Sequence, residues 1–219
     1  MRLTAFILAS LSTFIVPVFT LPETPPVPSH LNITTIATAS GKSTLECWQL
    51  SAPFVASSQA GTSGAVIAQL GETGATSYTL LPPGFDGGLH NAPAVQYALR
   101  SSLSFPCILL FRLLFFLLSS VVQITQQLNP SSGCIRWVAF ISGLAVVSLP
   151  NSTETATIHG GRNGLILATD TKNTSTLGHK TVYPGNKDTV GIQIPTRDNE
   201  IPAHTVLHAG PCKKGEMDQ

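Results

Sequence analysis

Cys107–Val122 reads CILLFRLLFFLLSSVV, an almost unbroken run of Leu, Phe and Ile. A run this apolar leaves the chain three outcomes. It crosses a bilayer, it lies at the centre of a core, or it does not belong to the folded protein. The sequence around it has a different character. Its 18 Gly and 16 Pro punctuate short apolar stretches, which is the pattern of an all-β chain rather than of a helical bundle.

The membrane outcome meets a topological objection. A span needs about 20 residues, which 105–124 supplies. Arg112 near its centre costs about 2.5–3.5 kcal/mol. An N-terminal export signal followed by a stop-transfer segment also separates the two halves of the chain, so Cys47 never meets Cys212 and the sequons at Asn151 and Asn173 stay in the cytosol. The core-helix outcome fails on patterning. Leu and Phe fill every face, so the helix needs burial all round, and the remaining strands are too few to wrap it. The third outcome fits the genetic code. Gln96-Tyr97-Ala98 can be encoded as CA|GTATGC, a donor junction. Leu128-Asn129 can supply CTAAC, a branch sequence, and Arg136 can be AGG, an acceptor. Removing Tyr97–Arg136, forty residues, keeps the frame and restores Gln ahead of Trp137. We therefore read 97–136 as an anomalous apolar insertion, a translated intron.

The compartment is read from the ends of the chain. Arg2 precedes an apolar stretch from Ala5 to Phe19 and a Pro-rich segment follows, the anatomy of a cleaved signal peptide over 1–20. Three N-x-S/T sequons, at Asn32, Asn151 and Asn173, agree with export. Four cysteines allow three pairings. Cys107 and Cys134 lie in the insertion, and the outer pair, Cys47 and Cys212, is the staple expected in an oxidising compartment. The expected localisation is therefore extracellular, with a membrane protein as the alternative if 105–124 is a genuine span. The formal net charge is +1 and no basic cluster interleaves with aromatics, so a nucleic-acid partner is not expected.

Along the remainder, 21–43 reads as a Pro/Thr-rich leader, 44–212 as the folded domain and 213–219 as a tail. Strands are expected at 44–55, 65–70, 77–81, 155–159, 164–169, 190–194 and 205–208. Trp137–Leu149 is expected to be two strands bent at Gly143. Phe85–Asn91 reads as a Gly-rich loop. Turn signals every 8–12 residues suit a small barrel or a double-sheet sandwich.

With the insertion set aside, Pro83–Leu149 runs PGFDGGLHNAPAVQ–WVAFISGLAVVSL. This resembles the first motif of the cupins: Gly, five residues, His-x-His, three or four residues, Glu, six residues, Gly. His90 takes the first His position, Gln96 stands where Glu is expected, and six residues then precede Gly143. Ala92 replaces the second His. The second cupin motif is matched loosely over Gly161–Gly185, with Gly178-His179 nearest its His and its P-x-G absent. The resemblance implies a jelly-roll barrel with a site for a divalent metal such as Fe or Mn, held by His90, Gln96 and His179, with His159 as a substitute ligand. Ala92 and Gln96 weaken that site. The resemblance thus points to a non-catalytic or small-molecule-binding barrel, with a metal-dependent oxygenase or isomerase as the alternative. His204 and His208 read as structural. No nucleophile elbow, P-loop or HExxH pattern is present.

Overall fold

The computed structural model describes residues 28–92 and 133–218. Residues 1–27, Gln96, Cys107 and the 105–124 stretch lie outside them. Among the described residues, no helix is long and apolar enough to cross a membrane.

The described chain is all-β. Thirteen strands run in order: β1 His30–Ala39, β2 Lys42–Pro53, β3 Val55–Ala56, β4 Val66–Ile67, β5 Ser77–Leu81, β6 Phe85–His90, β7 Arg136–Ser142, β8 Leu144–Ser148, β9 Thr155–His159, β10 Leu165–Ala168, β11 His179–Tyr183, β12 Thr189–Pro195 and β13 His204–Ala209. Seven form one sheet in the order β13-β2-β1-β10-β7-β12-β5, four form a second in the order β6-β11-β8-β9, and β3 pairs with β4. No sheet closes on itself. Every pairing is antiparallel except β1 with β10.

Side-chain alternation along the large sheet makes two cores. On one face Ile36, Leu45, Phe140, Ile166 and Ala168 pack against Ala145, Val147, Ala156 and Ile158 of the small sheet. On the other face Ile33, Trp48, Leu50, Trp137 and Leu167 form a second cluster. It is roofed by the chain at Leu70, whose carbonyl accepts the Trp137 indole N–H at 3.2 Å. The chain passes from the large sheet to the small one between β7 and β8, at Gly143 (φ +85°). Its place at the centre of the expected bend is thus a corner between sheets.

Several segments differ from expectation, among them β11, which falls where no strand is expected. His30–Ala39, assigned to the leader, is a central strand of the large sheet. Being buried on both faces, it has no alternation to display, and its Thr-rich composition masks it. Its hairpin to β2 turns on Ser40-Gly41, both at positive φ. Phe85–His90, read as a loop, is β6, and its Gly87-Gly88 pair is a bulge against β11. Of the expected strand over 65–70, only Val66–Ile67 forms.

Cys47 and Cys212 are joined by a disulfide across 165 residues of sequence, tying β2 to the C-terminal segment. Beside it, the Cys212 N–H donates to Thr34 Oγ1 at 3.1 Å. Cys134 is a free thiol. His204 stacks on Trp48 at 3.5 Å between ring centroids, and His208 Nε2 meets both Glu216 carboxylate oxygens at 3.1 Å. Both histidines therefore sit against structural partners.

Candidate functional site

His90 ends β6, and His179 begins β11 directly opposite it in the ladder. The approach depends on Gly178 (φ +71°), where an added Cβ would lie 2.1 Å from the His90 carbonyl oxygen. The two imidazoles stand 4.5 Å apart between centroids, inclined by 58°. Two residues far apart in sequence, one at a motif position and the other nearest a loosely matched one, thus become neighbours.

Each ring is held through Nδ1. His90 Nδ1 donates to the Gly88 carbonyl at 3.0 Å. His179 Nδ1 donates to Asp170 Oδ2 at 2.7 Å. Asp170 is wholly buried just beyond β10, and its Oδ2 also accepts from Ser43 Oγ at 2.7 Å. Ser43 in turn meets Ser175 Oγ at 2.8 Å, which accepts the Gly178 N–H at 3.0 Å. One network therefore fixes both the turn that delivers His179 and the orientation of its ring. With Nδ1 occupied, the nitrogen each imidazole offers is Nε2. Among the described residues, no hydrogen bond uses it.

Both rings line a cavity of about 80 Å³ between the sheets, shared with Tyr183, Phe140, Val138 and Arg136. Burial pushes the Tyr183 hydroxyl up to about 12, so it is a neutral donor. Arg136 is the discordant member. It is 5% exposed, donates through Nη1 to Gln193, and leaves Nη2 without a partner. Burial pushes the guanidinium below its ordinary value. Among the described residues no carboxylate pairs with it.

The fit to a divalent metal is poor. Both imidazoles line the cavity, Asp170 Oδ2 is taken by His179 and Ser43 while its buried Oδ1 has no partner among the described residues, and the Arg136 guanidinium stands in the same space. Ala92 is buried and offers no donor atom. His159 lies on an outward position of β9 and does not join the pair. Gln96 lies outside the described residues. The one group of three metal-ligating side chains among the described residues, Cys47, His208 and Glu216, is disqualified because Cys47 is in the disulfide.

Burial, then the neighbouring His179, holds His90 below the usual imidazole value. As pH falls, the unfolded chain takes up this proton first. The stability gained by keeping His90 neutral is complete above about pH 6.5, begins to fall there, and goes on falling until the depressed folded value is passed. His208 acts oppositely, raised by the Ala209 carbonyl and Glu216, but it is solvent-screened and weaker in effect. The expected result is a lower urea midpoint at about pH 5.5 than at about pH 7.5, with a shallower dependence in His90→Gln. Equal slopes in the two proteins would refute the assignment.

Compared with family models, curated proteins and solved structures, the chain matches none. Its functional reading therefore rests on its own residues. Asp170, Ser43, Ser175, Tyr183 and Arg136 were not singled out as members of a site from the sequence. Only Asp170 carried a signal, as a carboxylate placed straight after the apolar run Gly164–Thr169.

Proposed function

We propose that this chain is a secreted, cupin-like jelly-roll protein whose inter-sheet cavity binds a small molecule without turning it over. The observation that carries the reading is the composition of the cavity. Two oriented imidazoles share a small cavity with the polar side chains of Tyr183, Thr181, Gln193 and Arg136 and with apolar walls, a mixed lining that suits a small polar molecule, while among the described residues no third metal ligand stands with the two imidazoles. The spacing from Gly84 through His90 to Gly143 supports the cupin likeness, as do two sheets sharing one core. The disulfide supports an oxidising compartment. The test is NMR of the secreted protein, following the imidazole resonances of His90 and His179. Small alcohols and carboxylic acids serve as one probe and Mn(II) as the other. The expected result is that fragments shift both rings while Mn(II) broadens neither. Stoichiometric metal in the purified protein, or Mn(II) broadening of both rings, favours the metal-dependent oxygenase or isomerase instead. That second reading is kept by one observation, the two unengaged Nε2 atoms side by side.

Secretion makes the sequons testable. Asn151 and Asn173 are exposed in turns. Asn32 is 8% exposed in β1, its Nδ2 donates to the Glu216 carbonyl at 2.7 Å and its Oδ1 accepts from Gln49. A glycan on Nδ2 would displace the C-terminal segment that this atom holds, so Asn32 is the sequon we expect to stay unoccupied. Peptide mapping after deglycosylation should find occupancy at Asn151 and Asn173 and none at Asn32. Glycan on Asn32 of the folded protein would contradict the placement of β1.

A further inference from the structure

Ala92 and Gly133 stand on either side of forty residues outside the described structure, yet they meet. A Cβ added to Gly133 would lie 2.6 Å from the Ala92 carbonyl oxygen, so the two backbones are in direct contact. Ala92 is itself anchored, fully buried, with its N–H donating to the Asp170 carbonyl at 3.2 Å. The sheet thus receives the chain at Gly133 almost where it let it go at Ala92.

We infer that the folded protein is the chain in which Gln96 is bonded directly to Trp137, with residues 93–96 taking the places of 133–136. The exchange is four residues for four, and three of the positions suit their replacements as they stand, while at Gly133 a Cβ would press on Thr171 at 3.1 Å. Val95 takes the place of Ile135, which is 6% exposed in the core around Trp137. Its N–H inherits the bond to Asn199 Oδ1 at 2.9 Å, and its carbonyl inherits the Thr196 N–H at 2.9 Å. Ala94 replaces the free thiol of Cys134. Pro93 replaces Gly133, whose N–H makes no hydrogen bond among the described residues. Gln96 replaces Arg136, keeping the backbone pairing to Ala168 and Pro195 and exchanging a buried, half-satisfied guanidinium for a neutral amide.

The register is the discriminating point. In β7 the odd positions Ile135 and Trp137 face one core, while the even positions Arg136, Val138 and Phe140 face the cavity. The joined sequence PAVQWVAF keeps that phase, with Val95 and Trp137 on one face and Gln96 and Val138 on the other. A join one residue away inverts every side chain before the junction relative to those after it. Codon phase fixes the number of residues removed but not their phase on a pleated strand, so this agreement is independent of the junction argument. It rests on backbone register and not on what occupies the cavity, although the exchange would put a neutral amide there in place of the Arg136 guanidinium.

The experiment expresses three chains behind the same leader: the full chain, the chain joined Gln96 to Trp137, and a control joined Val95 to Trp137. Secreted yield and thermal unfolding are measured for each, and transcripts are sequenced across the Gln96 and Trp137 codons. The expected result is several-fold more secreted protein and a higher, sharper unfolding transition for the Gln96–Trp137 chain than for the other two. Natural transcripts should lack the forty codons. A joined chain no better than the full chain or the shifted control overturns the inference, as does a sole natural transcript that retains the segment.

Discussion

Gly143→Ala should lower the unfolding free energy by about 3–5 kcal/mol, a loss of about 10 °C or more in Tm for a domain of this size. Two costs add. At φ +85° an L side chain costs about 1–2 kcal/mol in conformation alone. Steric overlap costs more. The new methyl would lie 2.3 Å from Thr189 Oγ1 and 2.6 Å from Thr189 Cα. The Cα is backbone of β12, which is paired to β5 on one side and β7 on the other, so it recedes only by breaking a ladder. Thr189 Oγ1 also clamps the first residue of β8, accepting the Leu144 N–H at 3.1 Å and donating to its carbonyl at 3.3 Å. The substitution therefore attacks the corner that carries the chain from one sheet to the other. Gly161→Ala is the matched control. It too has positive φ, but nothing lies within 4 Å of its added Cβ, so it should show the conformational cost only. Equal melting losses in the two variants would remove the steric argument.

Particular elements show what the sequence made visible. Ser77–Leu81 and Thr155–His159 form with the limits expected of them, because an edge strand and a half-exposed strand each carry turn residues at both ends. β12 was visible through Val190, Ile192 and Ile194, and β8 through the glycine before it. β1 was not, because a strand covered on both faces loses its period-two signal and Thr-rich β1 lacks the run of branched apolar residues that usually replaces it. β6 and β11 were missed because the glycines that bulge one and open the other read as loop. The site shows the same division. Motif spacing reached His90, at its offset from Gly84, and His179 only as the histidine nearest a loosely matched second motif. Their supports were beyond reach. Asp170 bonds Ser43 across 127 residues, and a buried polar network assembled from three segments has no period and no spacing in one dimension. Arg136 was set aside with the insertion, so its place in the cavity of the full chain is visible only in the fold.

Asp170→Ala should cost about 3–5 kcal/mol, the range for removing one member of a buried, hydrogen-bonded pair. Most of that is the penalty on the groups left behind. The His179 Nδ1–H and the Ser43 hydroxyl lose their acceptor where His179 is 4% exposed and little water enters. Asp170→Asn retains the volume and one acceptor oxygen, so it should cost less, although its amide presents two donors to neighbours that already donate. The site makes a sharper demand. If Asp170 acts by orienting His179, then removing His179 first removes most of what Asp170 has to lose. The double variant Asp170→Ala/His179→Ala should therefore be less destabilised than the sum of the single losses by about 1–3 kcal/mol. The Asp170→Ala protein that remains folded should also lose the fragment-induced shift at His179 while keeping a weaker one at His90, whose ring is held separately by the Gly88 carbonyl. Additive losses, with the His179 shift intact, would mean that the carboxylate fills space in the core and takes no part in presenting Nε2 to the cavity.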